Sequence, residues 1–473
     1  MTRAAALLAA ALAAGCAVGP DYERPVIESP ERWRIDYPQA AEVANVPWWE
    51  QFGDPVLDKL IVDALTENRD VRIAAARVDQ FIGQLTATRS QFYPQVGYSL
   101  DASRNRASRV GQPPLAPGAD PYYSLYQGAL SAGWQLDLFG RVRRQSEAAQ
   151  AQVYASEQGR RGVVLSLVTS VAASYIGLRA LDRQLEIARA TATNYGDTQR
   201  IFEERFKGGV VSEIEVRQVE SQYQQALAAV PALELQVAAQ ENLLLVLLGR
   251  NAGAIPRGRT IDELAAPGIP GDLPAALLER RPDILQAEQQ LVAATANIGA
   301  AKSLYYPTLS LTGVLGSVSS ALDDFLSSAA TAGSVAAGLS GPVFTFGAIG
   351  GQVDTAEAGQ RAALTAYQQA ILNALRETND ALVGSVKKRE EAEAQAKRVA
   401  ALRVYAGLSR LRFDNGYAGY LEVLYADNEL FSAELTAVRA QAERFTQIVG
   451  VYQALGGGWV DEADKLAPQP RLR

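Results

Sequence analysis

Histidine is absent from this chain of 473 residues, and cysteine and methionine each occur once. Without histidine there is no Ser-His-Asp or Cys-His pair for nucleophilic catalysis, and the commonest side-chain metal ligand is missing. A single cysteine cannot form a disulfide within the chain. A mechanism built on lysine or carboxylates stays open, but no motif marks one. We therefore expect a protein that is not an enzyme and has neither a metal site nor a cofactor.

A basic surface is also missing. The formal net charge is −7, the pI is about 5.1 and no run of more than three consecutive lysine or arginine residues occurs, whereas nucleic-acid binding needs clustered positive charge. Beyond the N-terminus no uncharged apolar run reaches the roughly 18 residues that a bilayer requires. We therefore predict no nucleic-acid partner and no transmembrane helix.

The N-terminus has the pattern of an export signal. Arg3 precedes an apolar stretch over 4–14, which ends in Leu-Ala-Ala-Gly-Cys at 12–16. This length suits a signal peptide and is too short to span a bilayer, and the ending resembles the bacterial lipobox. We predict that cleavage leaves Cys16 as the lipidated first residue, and the following Ala17 is compatible with sorting to the outer membrane. The alternative is a plain secretory signal with a chance cysteine.

Two segments of the chain repeat each other. Asp70–Pro94 and Asp283–Pro307 align at an offset of 213 residues, and each ends in Tyr-Pro. Two further landmarks align at an offset of 207: Phe-Gly at 139–140 with Phe-Gly at 346–347, and Arg-Phe-Lys-Gly-Gly at 205–209 with Arg-Phe-Asp-Asn-Gly at 412–416. The shared order indicates a duplicated unit of roughly 200 residues.

The repeat and the Gly/Pro-rich stretches set the predicted domain boundaries. They are a signal peptide at 1–15, a lipidated N-terminal arm at 16–54, the first repeat at 55–248, a linker at 249–273, the second repeat at 274–456 and a C-terminal tail at 457–473.

Each unit opens with a helical pattern, at 55–91 and 274–304, which the Tyr-Pro pair ends because proline cannot continue a helix. Two stretches of alternating apolar and polar residues follow and predict strands. They lie at 96–103 and 126–138 in the first unit and at 309–315 and 335–343 in the second.

The four predicted strands are too few for a barrel. The smallest membrane barrels have about eight strands, and a sheet in lipid cannot leave an edge unpaired. If the strands cross the membrane, several chains must therefore share one barrel. The alternative from the pattern alone is a soluble hairpin that caps a helical bundle.

A very long helix follows each hairpin. Arg141–Phe206 and Ala348–Phe413 contain no proline and would each extend roughly 95 Å at 1.5 Å per residue. No compact domain accommodates such a length, so the pattern predicts a coiled coil or a helical tube.

Glycine-containing turns at 208–209 and 415–416 should reverse the chain at the ends of these helices. The returning helices are predicted at 212–248 and 420–455. Pro231 lies inside the first of them and should bend it.

Together these landmarks resemble the TolC-like outer membrane factors, in particular their lipoprotein branch, often called NodT-like. The resemblance covers nearly the whole chain after the signal peptide. It rests on Cys16, Pro47-Trp48-Trp49, Phe52-Gly53-Asp54-Pro55, Leu57, Leu60, Ala64-Leu65, Asn68, Asp70, the Tyr-Pro pairs, and the motifs at 205–212 and 412–419. We expect Trp48 and Trp49 to pack the arm against the helices rather than to anchor it at a membrane interface.

The resemblance implies a mainly α fold with a small membrane β-barrel. In such a fold three chains share a twelve-stranded barrel in the outer membrane, and a long α-helical tube extends into the periplasm. The implied activity is passive export of drugs or other small molecules. The implied partners are a periplasmic adaptor, an inner-membrane transporter and outer-membrane lipid.

The resemblance also implies two sets of site residues near the helix tips. Rings that narrow the periplasmic aperture correspond to Leu421, Glu422 and Tyr425, with Glu215 as the repeat mate of Glu422. Tyr425 stands where the family commonly has a carboxylate, so this chain departs from the family's pattern of two acidic rings. The plain alternative for Glu422 is a solvated glutamate favoured by the helix dipole.

The second set is the pair of turns that would contact the adaptor. Its members are Lys207, Gly208, Gly209 and Val210 in the first turn and Asp414, Asn415, Gly416 and Tyr417 in the second.

Two other functions compete with an exit duct. A free-standing porin fails on strand number and leaves the long helices unexplained. A periplasmic coiled-coil scaffold lipoprotein without a pore accounts for the helices and Cys16, but the repeated alternating strands argue against it.

Overall fold

The computed structural model describes residues 17–25, 47–110, 115–116, 118–251, 253–269, 280–456 and 459–471. Cys16 and the predicted signal peptide lie outside the described residues. So do residues 26–46, which are most of the predicted arm, and residues 270–273, which end the predicted linker.

The described residues form long helices and one small sheet. A 3₁₀ helix at Trp48–Phe52 comes first. The helices are α1 (Pro55–Glu67), α2 (Arg69–Ser90), α3 (Arg141–Lys207), α4 (Glu213–Leu247), α5 (Pro282–Lys302), α6 (Ala348–Asp414), α7 (Tyr420–Leu455) and α8 (Trp459–Leu466), and the strands are β1 (Gln95–Arg106), β2 (Tyr122–Leu136), β3 (Thr308–Ser319) and β4 (Thr331–Ser340).

The two long helices, α3 and α6, have 67 residues each, or about 100 Å at 1.5 Å per residue. Both end within one residue of the predicted boundary. The returning helices α4 and α7 also match their predicted ranges, and Pro231 lies inside α4 as expected.

The helix predicted over 55–91 is instead two helices. Asn68 separates α1 from α2 with a backbone ψ of 136°, and its side chain accepts hydrogen bonds from the amides of Asp70 (2.8 Å) and Val71 (3.1 Å). Asparagine is a strong N-cap because its side-chain oxygen satisfies these first amides. The break therefore follows from a local hydrogen bond that competes with the continuous helix.

The four strands form one antiparallel sheet in the order β1-β2-β3-β4. The strand β2 ends before Leu138, because the Asp137 carboxylate accepts from the first amides of α3, those of Val142 and Arg143. The strand β4 ends before Val343, next to Pro342, which has no amide to donate to a ladder. In the part of the chain that the structure describes, β1 and β4 are the edges of the sheet.

The largest core lies around the 3₁₀ helix. Trp48 is fully buried, stacks on Tyr452 at a centroid distance of 5.0 Å and meets Trp459 edge-on at 5.9 Å, while Trp49 is 3% exposed. Buried aromatic pairs of this kind contribute beyond their buried area. The structure thus confirms that the two tryptophans pack the N-terminal region against the helices.

By length and composition, α3 and α4 are long and apolar enough to cross a membrane. The sequence analysis predicted no such helix. The apolar window of α3 is 67% buried by the rest of the chain, which is typical of the core helix of a bundle. The window of α4 is 17% buried, and Leu235, Leu243 and Val246 on it are exposed. Such windows are weak evidence for a span, since core helices have the same composition.

Candidate functional site at the helix tips

The first tip turn is a Schellman motif at the end of α3. Gly209 has a φ of +73°, its amide donates to the carbonyl of Phe206 (2.9 Å), and the amide of Val210 donates to the carbonyl of Arg205 (2.9 Å). These two bonds satisfy carbonyls that the helix end leaves free. Glycine is favoured at this position because the left-handed conformation strains other residues.

The second tip turn repeats this geometry at the end of α6. Gly416 has a φ of +76°, its amide donates to Phe413 (2.9 Å), and the amide of Tyr417 donates to Arg412 (2.8 Å). All eight predicted turn residues are exposed, with Val210 and Tyr417 at 73% and 78%. The turns therefore present apolar side chains to solvent.

An aromatic cluster joins the two tips, and sequence reasoning missed it. Phe202 of α3 lies 4.2 Å from Tyr420 and 6.3 Å from Phe413 between ring centroids, and these two rings are 5.1 Å apart. Buried Val216 and Val423 extend the cluster into the returning helices. The first and second repeats thus meet through aromatic packing directly above their turns.

Glu215 is part of a capping box at the start of α4. Its carboxylate accepts from the amide (2.8 Å) and the hydroxyl (3.1 Å) of Ser212, whose own oxygen faces the Glu215 amide. Such a reciprocal pair satisfies free amides at a helix start. The contacts of Glu215 among the described residues are therefore those of a helix cap.

The start of α7 has an exposed apolar face and, next to it, a glutamate that forms an ion pair. Leu421 and Tyr425, one turn apart, are 64% and 61% exposed. Glu422 is turned away from them, with its Oε1 3.1 Å from Nη1 of Arg412 in the last turn of α6. The structure therefore separates the three predicted aperture residues into an exposed apolar pair and an acid paired across the tip.

A charged cleft of about 650 Å³ lies farther along the helices, between α3, α6 and α7. Asp427 lies 3.4 Å from Arg410; burial raises the pKa of Asp427, and the arginine opposes this rise. The nearby Tyr195 hydroxyl is buried, with no hydrogen-bond partner among the described residues. The sequence analysis missed this cleft. Its signal is the carboxylate of Asp427 on the buried face of α7, seven residues after buried Tyr420.

The residues that follow Cys16 are docked on the helices. The amide of Val18 donates to the carbonyl of Phe139 at the start of α3 (3.3 Å). The buried guanidinium of Arg144 donates to the carbonyls of Val18 (3.2 Å) and Gly19 (3.3 Å) and pairs with Asp21 (2.8 Å). Burying an arginine is favourable only with such partners. The arm is therefore fixed beside the junction of sheet and helices.

A second contact holds the next few residues of the arm. The Tyr22 hydroxyl and the Arg24 guanidinium both donate to the Glu288 carboxylate on α5, at 3.0 and 2.8 Å. The arm thus contacts helices of both repeats.

Known proteins resemble this chain over most of its length. The family model for outer membrane efflux proteins matches residues 60–250 and 273–457. The solvent efflux pump outer membrane protein SrpC of Pseudomonas putida is 34% identical over 454 residues, which are 94% of this chain and 96% of that protein. The probable outer membrane lipoprotein SilC of Salmonella typhimurium is 30% identical over 455 residues, 95% of this chain and 97% of that protein.

A solved structure gives the same result. The open state of the MtrE outer membrane channel of Neisseria gonorrhoeae has a TM-score of 0.84 to this chain at 28% identity, covering 94% of this chain and 99% of that one. The matches span both repeats, the sheet and the tips. The chain therefore belongs to the outer membrane efflux protein family, and it is an outer-membrane efflux channel rather than an enzyme.

Proposed function

We propose that this chain is the lipid-anchored, trimeric exit duct of a tripartite system that exports drugs or other small molecules. A periplasmic adaptor binds its tip turns and links it to an inner-membrane transporter. The observation that carries the proposal is a four-stranded sheet with two open edges, joined to helices of 67 residues.

The open edges support a shared barrel. Each edge strand has one side without a hydrogen-bonded neighbour among the described residues, and lipid supplies no such partner. Tyr98, Leu100 and Val335 on these edges are 81%, 73% and 93% exposed, which suits a lipid-facing band. Three copies would give twelve strands, within the range of membrane barrels.

The helices support the link to an adaptor. At about 100 Å they place the two tip turns far from the sheet. Exposed Val210 and Tyr417 give these turns an apolar surface suited to contact with another protein. A scaffold lipoprotein without a pore would have no use for the open sheet edges.

Native mass spectrometry in detergent tests the oligomer. We expect three copies of the chain, because a closed barrel satisfies the edge strands that one copy leaves open. The same preparation should conduct ions in a planar bilayer. A stable monomer that still conducts would contradict the shared barrel, and a trimer without conductance would favour the scaffold.

The lipid anchor has support from the docked arm. Arg144 holds the residues just after Cys16 next to Phe139, between β2 and α3. This junction is the membrane end of the helices if the sheet forms a barrel. An acyl chain on Cys16 would then start at the level of the bilayer.

Mass spectrometry of the mature N-terminus tests this anchor. We expect Cys16 as the first residue, carrying acyl chains. A Cys16→Ala variant with an ordinary cleavage site should still assemble, because the barrel supplies its own membrane affinity. An unmodified cysteine, or a mature chain that starts elsewhere, would exclude lipidation.

A further inference from the structure

The two faces of the sheet differ in chemistry. Paired residues of adjacent strands lie on the same face, and side chains alternate between the faces along each strand. The pairing places the large apolar side chains on one face, which we call the apolar face; they include Val96, Tyr98, Leu100, Leu130, Leu315 and Leu339. The other face carries mainly small and polar residues, such as Ser99, Asp101, Gln127 and Ser310. In the proposed barrel the apolar face is the one that contacts lipid.

Toward one end of the sheet, the apolar face of β3 and β4 becomes polar. Here Ser317, Ser319 and Thr331 occupy the positions of the large apolar residues. The long helices begin after the opposite ends of β2 and β4, so this end is the extracellular one in the proposed barrel. Hydroxyl groups that face hydrocarbon are unfavourable, and this part of the face therefore needs a cover.

The loop between β3 and β4 folds back over the apolar face at this end. A Cβ atom added at Gly128 of β2 would lie 2.7 Å from Cζ of Phe325 and 2.8 Å from Cδ2 of Leu100. Gly128 is paired with Leu100 on one side and with Ser317 of β3 on the other. The ring of Phe325 therefore crosses β3 and lies on the apolar face over Gly128, in space that a larger residue would fill.

Short hydrogen-bonded turns order this loop. The amide of Phe325 donates to the carbonyl of Leu322 (3.2 Å), and the amide of Ser327 donates to the carbonyl of Asp324 (3.0 Å). The loop nevertheless leaves two leucines uncovered, since Leu322 and Leu326 are 65% and 90% exposed. An ordered loop thus presents apolar side chains beside a face that is itself apolar.

Two arginines mark the depth of the loop. Arg104 and Arg106 follow the apolar residues of β1 on the same face, and the guanidinium of Arg106 lies 5.6 Å from the ring centroid of Tyr122. Charged and aromatic side chains are typical of the boundary of a bilayer. Leu100, the neighbour of the Phe325 ring, lies about 13 Å along the strand from Arg104 at 3.3 Å per residue. The ring is therefore on the hydrocarbon side of this boundary.

We propose that the β3–β4 loop is a lipid-contacting element, in which Leu322 and Leu326 contact the hydrocarbon chains of the outer leaflet of the outer membrane. Phe325 holds the loop on the outside of the barrel, so the loop does not cover the mouth of the duct. Asp323 and Asp324 are charged and keep the turn between these side chains at the edge of the bilayer. The inference rests on the proposed barrel and adds the position and the partner of this loop.

Fluorescence quenching measures where the loop lies. Cys16 is the chain's one cysteine, so Leu326→Cys in a Cys16→Ala background has one site for a bimane label. In phosphatidylcholine vesicles, nitroxide groups on the acyl chains should quench this label strongly, and iodide in the buffer should quench it weakly. Ser99→Cys, on the polar face of β1, is the matched control and should show the reverse order, because that face lines the duct.

A substitution at Gly128 tests the role of Phe325. Gly128→Val fills the space of the ring and should release the loop, so that the label at position 326 loses its quenching by lipid nitroxide and becomes accessible to iodide. Gly313→Val is the control, because Gly313 is on the same face but a methyl group there meets no atom within 4 Å. Phe325→Ala removes the ring without adding volume to the sheet, and it gives the same test if Gly128→Val fails to assemble.

These measurements separate the loop from the barrel. If iodide quenches the label at position 326 better than lipid nitroxide does, in protein that is a conducting trimer, the inference is wrong and the barrel stands. Unchanged quenching in Phe325→Ala, or equal changes in Gly128→Val and Gly313→Val, would show that the ring does not hold the loop. Protein that forms neither a trimer nor a channel would overturn the proposed function as well.

Discussion

Gly416→Pro is expected to abolish export while leaving trimer assembly intact. Proline fixes φ near −65°, whereas Gly416 has a φ of +76°. Proline would also remove the amide that donates to the carbonyl of Phe413. The turn must then open, at a local cost of about 3 kcal/mol or more, and the surface proposed to bind the adaptor is lost. Gly209→Pro should act in the same way at the first turn.

Drug resistance of cells that express each variant measures this effect. Resistance should fall to the level of cells without the channel, while native mass spectrometry still finds three copies. Gly416→Asn is an intermediate case, since asparagine tolerates the left-handed conformation. Gly407→Ala on α6 is the control, because a methyl group there meets no atom within 4 Å and alanine favours a helix. Normal resistance in both proline variants would argue against an adaptor role for the turns.

The long helices and their turns were predictable because their signals are local. The boundaries of the helices follow from residues at the boundaries themselves. These are an uninterrupted helical pattern, a glycine where the chain reverses and a proline after each opening helix. Gly209 and Gly416 were identified for this reason. The strand ends were predicted less accurately, because the hydrogen bonds to Asp137 end β2 early and the missing amide of Pro342 ends β4 early. The alternation of apolar and polar residues encodes neither effect.

The contacts that join distant parts of the chain were not predictable. The Phe202–Tyr420 contact connects residues of different repeats, and the Arg144 cluster connects α3 with an arm more than a hundred positions away. Periodicity shows which face of a helix is buried but not which neighbour covers it. The family resemblance implied an aperture role for Glu422 but did not indicate that Arg412 pairs with it.

The charge at the tip is expected to set the ion selectivity of the resting duct. Leu421 and Tyr425 are exposed at the start of α7, where equivalent side chains of three subunits would converge, and Glu422 pairs with Arg412 beside them. Glu422→Gln leaves three unpaired guanidinium groups and should shift selectivity toward anions. Arg412→Gln leaves three unpaired carboxylates and should shift it toward cations, as acidic rings do in cation channels. Glu422→Lys should give the largest shift toward anions.

Single-channel recording in planar bilayers, with a salt gradient, measures these shifts as changes in reversal potential. The double variant Glu422→Gln with Arg412→Gln keeps the net charge of the wild type and should restore its selectivity. Glu434→Gln is the matched control, because Glu434 forms a similar pair with Arg403 about three turns farther along α7, away from the proposed constriction. If Glu422→Gln and Glu434→Gln change the reversal potential equally, then Glu422 does not line the constriction. The narrowing would then rest on Leu421 and Tyr425 alone, because the Glu215 carboxylate already caps α4.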